Sequence, residues 1–178
     1  SFINFIKKTA LLYLIATILY IPINIYAGHF QNIGLLGAVK LLVFDGTFYH
    51  LWYLPALILG GLIIFLLSRK MSLCGIGIIC LGLYVLGLFG DSYYGLIAET
   101  THISVAYNFA FNVFSYTRNG LFFAPIFLFM GGVFARQKHQ LTKLTSIIGF
   151  IVSLMVMTAE GLILKRFELQ RHDSMYIA

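Results

Sequence analysis

Five long apolar runs constrain this chain more than any motif in it. They extend from about Thr9 to Tyr26, Leu51 to Leu67, Leu73 to Phe89, Leu121 to Ala135 and Leu144 to Leu164, with Glu160 the one charged residue inside them. Such runs approach or match the roughly 20 residues that an α-helix needs to cross a hydrocarbon layer about 30 Å thick. The composition agrees: 60% hydrophobic, 10% charged and a mean hydropathy of +0.92 are more apolar than a soluble domain can hide. The expected fold class is an all-α integral membrane protein, a polytopic bundle of about five spanning helices plus one or two interfacial or broken helices. Gly28 to Phe44 and Ile103 to Tyr116 are the interfacial candidates, apolar but broken by Gln31, Asn32, Lys40, Asn108 and Asn112. No repeat, linker or second domain is visible, so residues 1–178 read as one transmembrane domain without a soluble part. The opening Ser1-Phe2-Ile3-Asn4, with no initiator Met, and the apolar close Met175-Tyr176-Ile177-Ala178 suggest a piece cut from a longer protein.

The net charge of +6 does not point to nucleic acid, because the basic residues mostly cluster in short stretches that flank apolar runs. Cys74 and Cys80 lie six residues apart inside one run, without a CxxC pair or a His-rich partner, and read as buried thiols rather than a metal site. Ile21-Pro22-Ile23-Asn24 after the first run is not a small-residue cleavage site, so that run reads as retained. The glycines form neither GxGxxG nor a Walker pattern, which argues against a nucleotide loop. Gly75, Gly82, Gly87, Gly90, Gly131 and Gly132 are instead expected to let helices approach closely in lipid.

If the five runs alternate, Lys7, Lys8, Arg69, Lys70, Arg136, Lys138 and Lys143 fall on one side, which marks it and the N-terminal end as cytoplasmic. The expected location is a bacterial plasma membrane, with several passes. All six acidic residues, Asp45, Asp91, Glu99, Glu160, Glu168 and Asp173, then lie at or near the opposite face with His29, His50, His102 and His172. Lys40, Arg118, Lys165, Arg166 and Arg171 lie there too, against the topological bias, and need acids or an anionic ligand or lipid group as partners.

Candidate site residues come from that outer end. In Tyr49 to Leu57, Trp52 and Tyr53 suit a bilayer interface and Pro55 suits a first helical turn, whereas interface anchoring does not account for His50. Either an interfacial histidine or a proton-transfer or ligand role fits it. Thr117-Arg118-Asn119-Gly120 puts a bidentate cation at a helix mouth, as a carboxylate or phosphate clamp or a headgroup anchor. Gly90-Asp91-Ser92-Tyr93-Tyr94-Gly95 reads as a turn in which Asp91 is an acceptor. Glu160, inside an apolar run, needs a partner or hydration. Arg171-His172-Asp173-Ser174 is too contiguous for a catalytic triad; Asp173 and Ser174 fit better as caps of a helix beginning at Met175. The substrate-binding candidates are therefore His50, Trp52, Asp91, Arg118, Asn119, Glu160, His172 and Asp173, with His50 also a candidate base.

In this order, Tyr49-His50-Leu51-Trp52-Tyr53-Leu54-Pro55-Ala56-Leu57, Gly90-Asp91-Ser92-Tyr93-Tyr94-Gly95-Leu96-Ile97, Thr117-Arg118-Asn119-Gly120-Leu121-Phe122-Phe123 and His172-Asp173-Ser174-Met175-Tyr176 carry a family resemblance. Together they resemble the membrane domain of the VanT-type membrane-bound serine racemases of glycopeptide (vancomycin) resistance, within the acyltransferase 3 superfamily. The resemblance implies a membrane domain that supplies L-serine to a cytoplasmic pyridoxal-phosphate racemase domain outside these residues, for altered peptidoglycan precursors. The wider superfamily implies transfer of acyl groups, commonly from acetyl-CoA, to carbohydrates and other envelope acceptors. Its signature basic residue and histidine lie on a span upstream of Ser1, and Phe5-Ile6-Lys7-Lys8 is a reduced version of its Arg-x-x-Arg pattern. The expected partners are the lipid bilayer and a small molecule, serine or an acyl acceptor, with a homo-oligomer possible through the full-length protein. No cofactor is expected in this chain, acyl-CoA entering only if the domain is an acyltransferase.

Overall fold

A computed structural model of the chain describes residues 2–28, 34–48, 50–136, 142–172 and 175–177. Its elements, in chain order, are α1 (Phe2–Tyr26), α2 (Leu35–Lys40) running into a π-helical turn (Leu41–Asp45), α3 (Tyr53–Ser68), α4 (Leu73–Phe89), α5 (Gly95–Ala98), α6 (Thr101–Ala110), α7 (Ala124–Arg136) and α8 (Lys143–Arg166). Each of the five apolar runs has become a helix, and the two broken stretches have become the short pieces α2 and α6. Local chemistry explains the starts. The Ser72 and Thr142 hydroxyls accept from Gly75 N–H at 3.3 Å and Thr145 N–H at 3.2 Å, capping α4 and α8. Pro55 sits in the first turn of α3, where its missing N–H has no helical partner to lose.

Two helices, α1 with 25 residues and α8 with 24, are long and apolar enough to cross a membrane unaided. Their surfaces make the same case. Ile147, Phe150, Ile151, Leu154, Met155 and Leu162 of α8 are all exposed, and Leu164 is its one buried residue. A helix that is apolar on every side and covered by protein on almost none of them needs lipid around it. The chain is a membrane protein. The other three apolar helices, α3, α4 and α7, have 16, 17 and 13 residues, so length alone does not fix them as spans. At 1.5 Å per residue, α7 rises only about 20 Å. Residues 121–123 form a turn that leads into it, with the Asn119 carbonyl shared by Phe123 N–H and Ala124 N–H.

The body is built on α3, against which α1 and α7 pack, with α4 packed on α7 and touching α3 as well. Phe2 stacks on Phe65 at 4.3 Å, so α1 and α3 are antiparallel. Trp52 meets Phe123 edge-on at 5.6 Å, so α3 and α7 start at the same end. Gly77 lies against Phe129 and Gly87 against Phe122, so α4 runs antiparallel to α7. One end of the body therefore carries Lys7, Lys8, Arg69, Lys70 and Arg136, and the other carries Asp91 and Arg118. α8 joins the body at its C-terminal end, where Tyr93 reaches Glu160.

The expected small-residue contacts fall partly elsewhere. Gly82, Gly131 and Gly132 face open space, whereas a Cβ on Gly60 would stand 2.8 Å from the Ala124 Cβ and one on Gly120 2.6 Å from the Leu59 Cβ. Of the expected glycines, Gly87 and Gly90 do meet close neighbours, a Cβ on the first standing 2.9 Å from the Phe122 Cβ and one on the second closer still to the Thr117 Cγ2, and the α3–α7 seam adds Gly60 and Gly120. Gly46 is the tightest backbone crossing: its φ is +81°, and a Cβ there would lie 2.5 Å from the Trp52 nitrogen. Gly46→Ala should destabilise the fold by about 2–4 kcal/mol, since backbone strain and a backbone clash add. Thermal unfolding in detergent micelles, followed by helical circular dichroism, measures it; an unshifted midpoint would mean this crossing is loose.

The expected helix at Met175 falls almost wholly outside the described residues, as do its caps Asp173 and Ser174 and also His29, Gln31, Asn32, Tyr49 and Lys138. The described residues Met175 and Ile177 donate their amides to the Asp91 and Glu160 carboxylates, as described next.

Candidate functional site

The acid-bearing end is organised around a chain segment that returns to it after α8. The end of α8 makes that return possible. Glu168 takes a left-handed φ of +53°, and Leu169 N–H reaches back to the Leu164 carbonyl at 3.1 Å, a helix-ending turn more often built on glycine. Gly95 N–H then donates to the Leu169 carbonyl at 2.7 Å, and Arg171 N–H to the Asp91 carbonyl at 3.1 Å.

Asp91 is the centre of this arrangement. It is 0% exposed, and its Oδ1 accepts from the Ser92 hydroxyl and from Met175 N–H, both at 3.1 Å. The turn reading of Gly90 to Gly95 thus accounts for the backbone but not for this carboxylate, which holds a segment 84 residues away. Met175 itself is 0% exposed, set against Gly87 and taking a Thr117 hydroxyl contact on its sulfur at 3.6 Å. The Ser92 hydroxyl also lies 3.3 Å from the His172 carbonyl.

Glu160 plays the matching part on α8. Its Oε1 accepts from the Tyr93 hydroxyl at 2.6 Å and from Ile177 N–H at 2.8 Å, and the Tyr84 hydroxyl donates to the Tyr176 carbonyl. Burial first, and then the bond to Glu160, push the Tyr93 hydroxyl well above the ordinary tyrosine range. A raised folded value keeps its stabilising effect below the ordinary pKa of 10.0 and loses it as pH climbs through the folded value. Tyr93→Phe should cost about 1.5–3 kcal/mol, the range for a hydrogen bond to a charged group. The thermal midpoint in micelles reads this loss, and no loss would show that α8 docks without it.

On the other side of Asp91 stands an aromatic stack. The Arg118 guanidinium lies over the Trp52 ring at 4.6 Å and over the Tyr116 ring at 5.7 Å, and Tyr116 in turn meets the His172 ring at 4.6 Å. Planar stacking fixes a guanidinium while leaving its in-plane N–H groups aimed at the ring edges. Trp52, Arg118 and His172 are therefore one contact series, tied to Asp91 through Ser92. An apolar cleft of about 220 Å³ opens beside it, lined by Trp52, Ala56, Phe123 and Leu128 among others.

Asn119 is buried beneath this series with its polar atoms turned to its own loop. Its Nδ2 donates to the Tyr116 carbonyl at 2.9 Å, and its Oδ1 accepts from Leu121 N–H at 2.9 Å and Phe122 N–H at 3.2 Å. It shapes the turn that presents Arg118. His50 is exposed and groups with Phe48, whose ring it meets at 6.3 Å and which stacks on Tyr20 of α1. Asp173 lies outside the described residues. Sequence reasoning did not single out Tyr116, whose only signal was its position just before the Thr117 motif, and it read Met175 as a helix start rather than as a buried contact of Asp91.

Asp45 uses both carboxylate oxygens on Ser115 N–H, at 2.9 and 3.2 Å, pinning the π-helical turn to the segment before Arg118. Among the described residues, no three His, Cys, Asp or Glu side chains converge as metal ligands.

Comparison with known proteins adds three relatives and one family. A family model described as an acyltransferase domain matches residues 2–170. An amino-acid racemase of Enterococcus faecalis is 47% identical over 175 residues, 97% of this chain and 24% of the relative. A serine/alanine racemase of Enterococcus gallinarum is 38% identical over 177 residues, 98% of this chain and 25% of the relative. A second amino-acid racemase of Enterococcus faecalis is 37% identical over the same share of the chain. The chain spans about a quarter of the length of these curated relatives. No solved structure matches.

Proposed function

The chain belongs to the acyltransferase-domain family, and from that premise we propose that it is the membrane part of a racemase-type protein and binds L-serine for import. A zwitterionic amino acid needs a fixed cation and a carboxylate in one place, both held against reorganisation. The observation that carries the reading is the series Trp52, Arg118, Tyr116, His172, which ends through Ser92 on buried Asp91. In this reading Arg118 takes the serine carboxylate, and Asp91 or Glu160 takes the ammonium. Asn119 holds the loop, and Trp52 walls the cleft. The basic end of the bundle, with the N-terminus, lies in the cytoplasm, several helices cross a bacterial plasma membrane, and the racemase chemistry belongs to a domain beyond these residues. The test is equilibrium binding of labelled L-serine to the purified chain in micelles, followed by uptake into vesicles. Saturable binding that D-glucose does not compete supports the reading, and its absence counts against it.

A second reading follows from the family description itself: an acyltransferase that carries acyl groups from acyl-CoA to an envelope acceptor, with His50 as base on the acceptor hydroxyl. His50 is exposed, as a base that meets an outside acceptor must be. Hydrolysis of acetyl-CoA above background by the chain in vesicles favours it, and none argues against it.

A further inference from the structure

The candidate site uses only Arg118 of the five basic residues at the acid-bearing end. Two of the other four, Arg171 and Lys40, meet on one residue, Phe111. The Arg171 guanidinium lies 3.3 Å from the Phe111 ring centroid and 5.7 Å from that of Tyr94, while Lys40 Nζ donates to the Phe111 carbonyl at 3.1 Å. Both are held from behind: Arg171 N–H is bonded to the Asp91 carbonyl, and Lys40 ends α2. Neither makes an ion pair with an acid among the described residues. The nearby carboxylates have other partners, since Asp45 caps Ser115 N–H and Asp91 Oδ1 faces Ser92 and Met175.

The guanidinium sits close over the Phe111 ring, a contact that uses its face rather than its N–H donors, and Arg171 is exposed. Lys40, half-buried, spends one of its three donors on Phe111. The helix that leads into Phe111 is itself apolar on its outside. Ile103, Val105 and Phe109 of α6, with Val113 just after it, are exposed, Phe109 to 75%. A pair of cations at the end of a helix with exposed apolar side chains, in a membrane bundle, matches a molecule with an anionic head and apolar tails.

We propose that Arg171 and Lys40, on the Phe111–Tyr94 platform, form a binding site for the phosphate of an anionic phospholipid, whose acyl chains lie along α6. The phosphate oxygens take the in-plane donors of Arg171 and the remaining donors of Lys40. The site is separate from the serine reading, using neither Arg118 nor Glu160.

Native mass spectrometry of the chain in detergent, with phosphatidylglycerol or phosphatidylcholine of matched acyl chains, tests it. Phosphatidylglycerol adducts should dominate. Arg171→Gln and Lys40→Gln should each lower its apparent affinity about fivefold, the weight of one cation near an anionic headgroup. Gln at position 40 keeps an amide donor for the Phe111 carbonyl, and Arg171→Lys, which keeps the charge, should retain most of the binding. Helical circular dichroism and a monodisperse elution profile identify folded variants. An unchanged phosphatidylglycerol preference in the folded double variant would overturn the site. Displacement of the lipid by millimolar inorganic phosphate would overturn the lipid assignment, leaving a site for a free phosphate.

Discussion

Arg118→Ala is expected to lower L-serine binding by about 10–100-fold while leaving the chain folded. The size follows from the loss of charge-assisted hydrogen bonds to a carboxylate, worth about 1.5–3 kcal/mol. The fold should tolerate the change. The loop around Arg118 is held by Asn119, whose amide spans Tyr116, Leu121 and Phe122, and by the Thr117 hydroxyl on the Gly87 carbonyl at 2.8 Å. The stacking of Arg118 on Trp52 and Tyr116 contributes about 0.5–1 kcal/mol to the loop at a half-exposed position. Arg118→Lys keeps the charge but not the planar fork and should recover only part of the affinity. Labelled-serine binding to wild type and both variants in micelles measures the effect. Equal affinity in wild type and Arg118→Ala, with matching melting curves, would remove Arg118 from the site.

The helices were legible in the sequence because lipid solvation asks little of it: a long apolar run suffices, and all five runs form helices. Their exact spans were less legible. The turn that leads into α7 is built on Asn119, whose side-chain oxygen takes Leu121 N–H and Phe122 N–H, which hydropathy does not encode. The convergence of Trp52, Asp91, Arg118, Glu160 and His172 on one end was visible as charge segregation, since alternation of helices fixes which residues share an end. The contacts among them were not. They depend on the chain reversing at Glu168 and returning to Arg171, whose amide meets the Asp91 carbonyl, and on Met175 reaching the Asp91 carboxylate, long-range bonds that no local pattern encodes. The small-residue contacts were legible only in part. Glycine content marks where close approach is allowed, and only packing decides that Gly60, Gly87, Gly90 and Gly120 use it while Gly82, Gly131 and Gly132 do not.

Asp91 separates structure from binding, because its two substitutions have different expected outcomes. Asp91→Ala removes the acceptor of Met175 N–H in a site with 0% exposure and should cost about 2–4 kcal/mol, the desolvation of an unpaired amide plus the lost bonds. With that bond gone, Met175 loses its anchor against Gly87, and the segment from Leu169 onward should be cut sooner by a protease. Asp91→Asn keeps an oxygen where Oδ1 stands, able to accept from Met175 N–H and Ser92, and should stay within about 1.5 kcal/mol of wild type. Its carboxylate charge is nevertheless gone. If Asp91 balances the serine ammonium, Asp91→Asn binds serine at least tenfold more weakly at near-normal stability. If Glu160 does so instead, Asp91→Asn binds normally and Glu160→Gln does not. Limited proteolysis and melting curves read the first effect, and serine binding the second. An Asp91→Ala chain that melts and resists protease like wild type would mean that the returning segment is held by something other than this carboxylate.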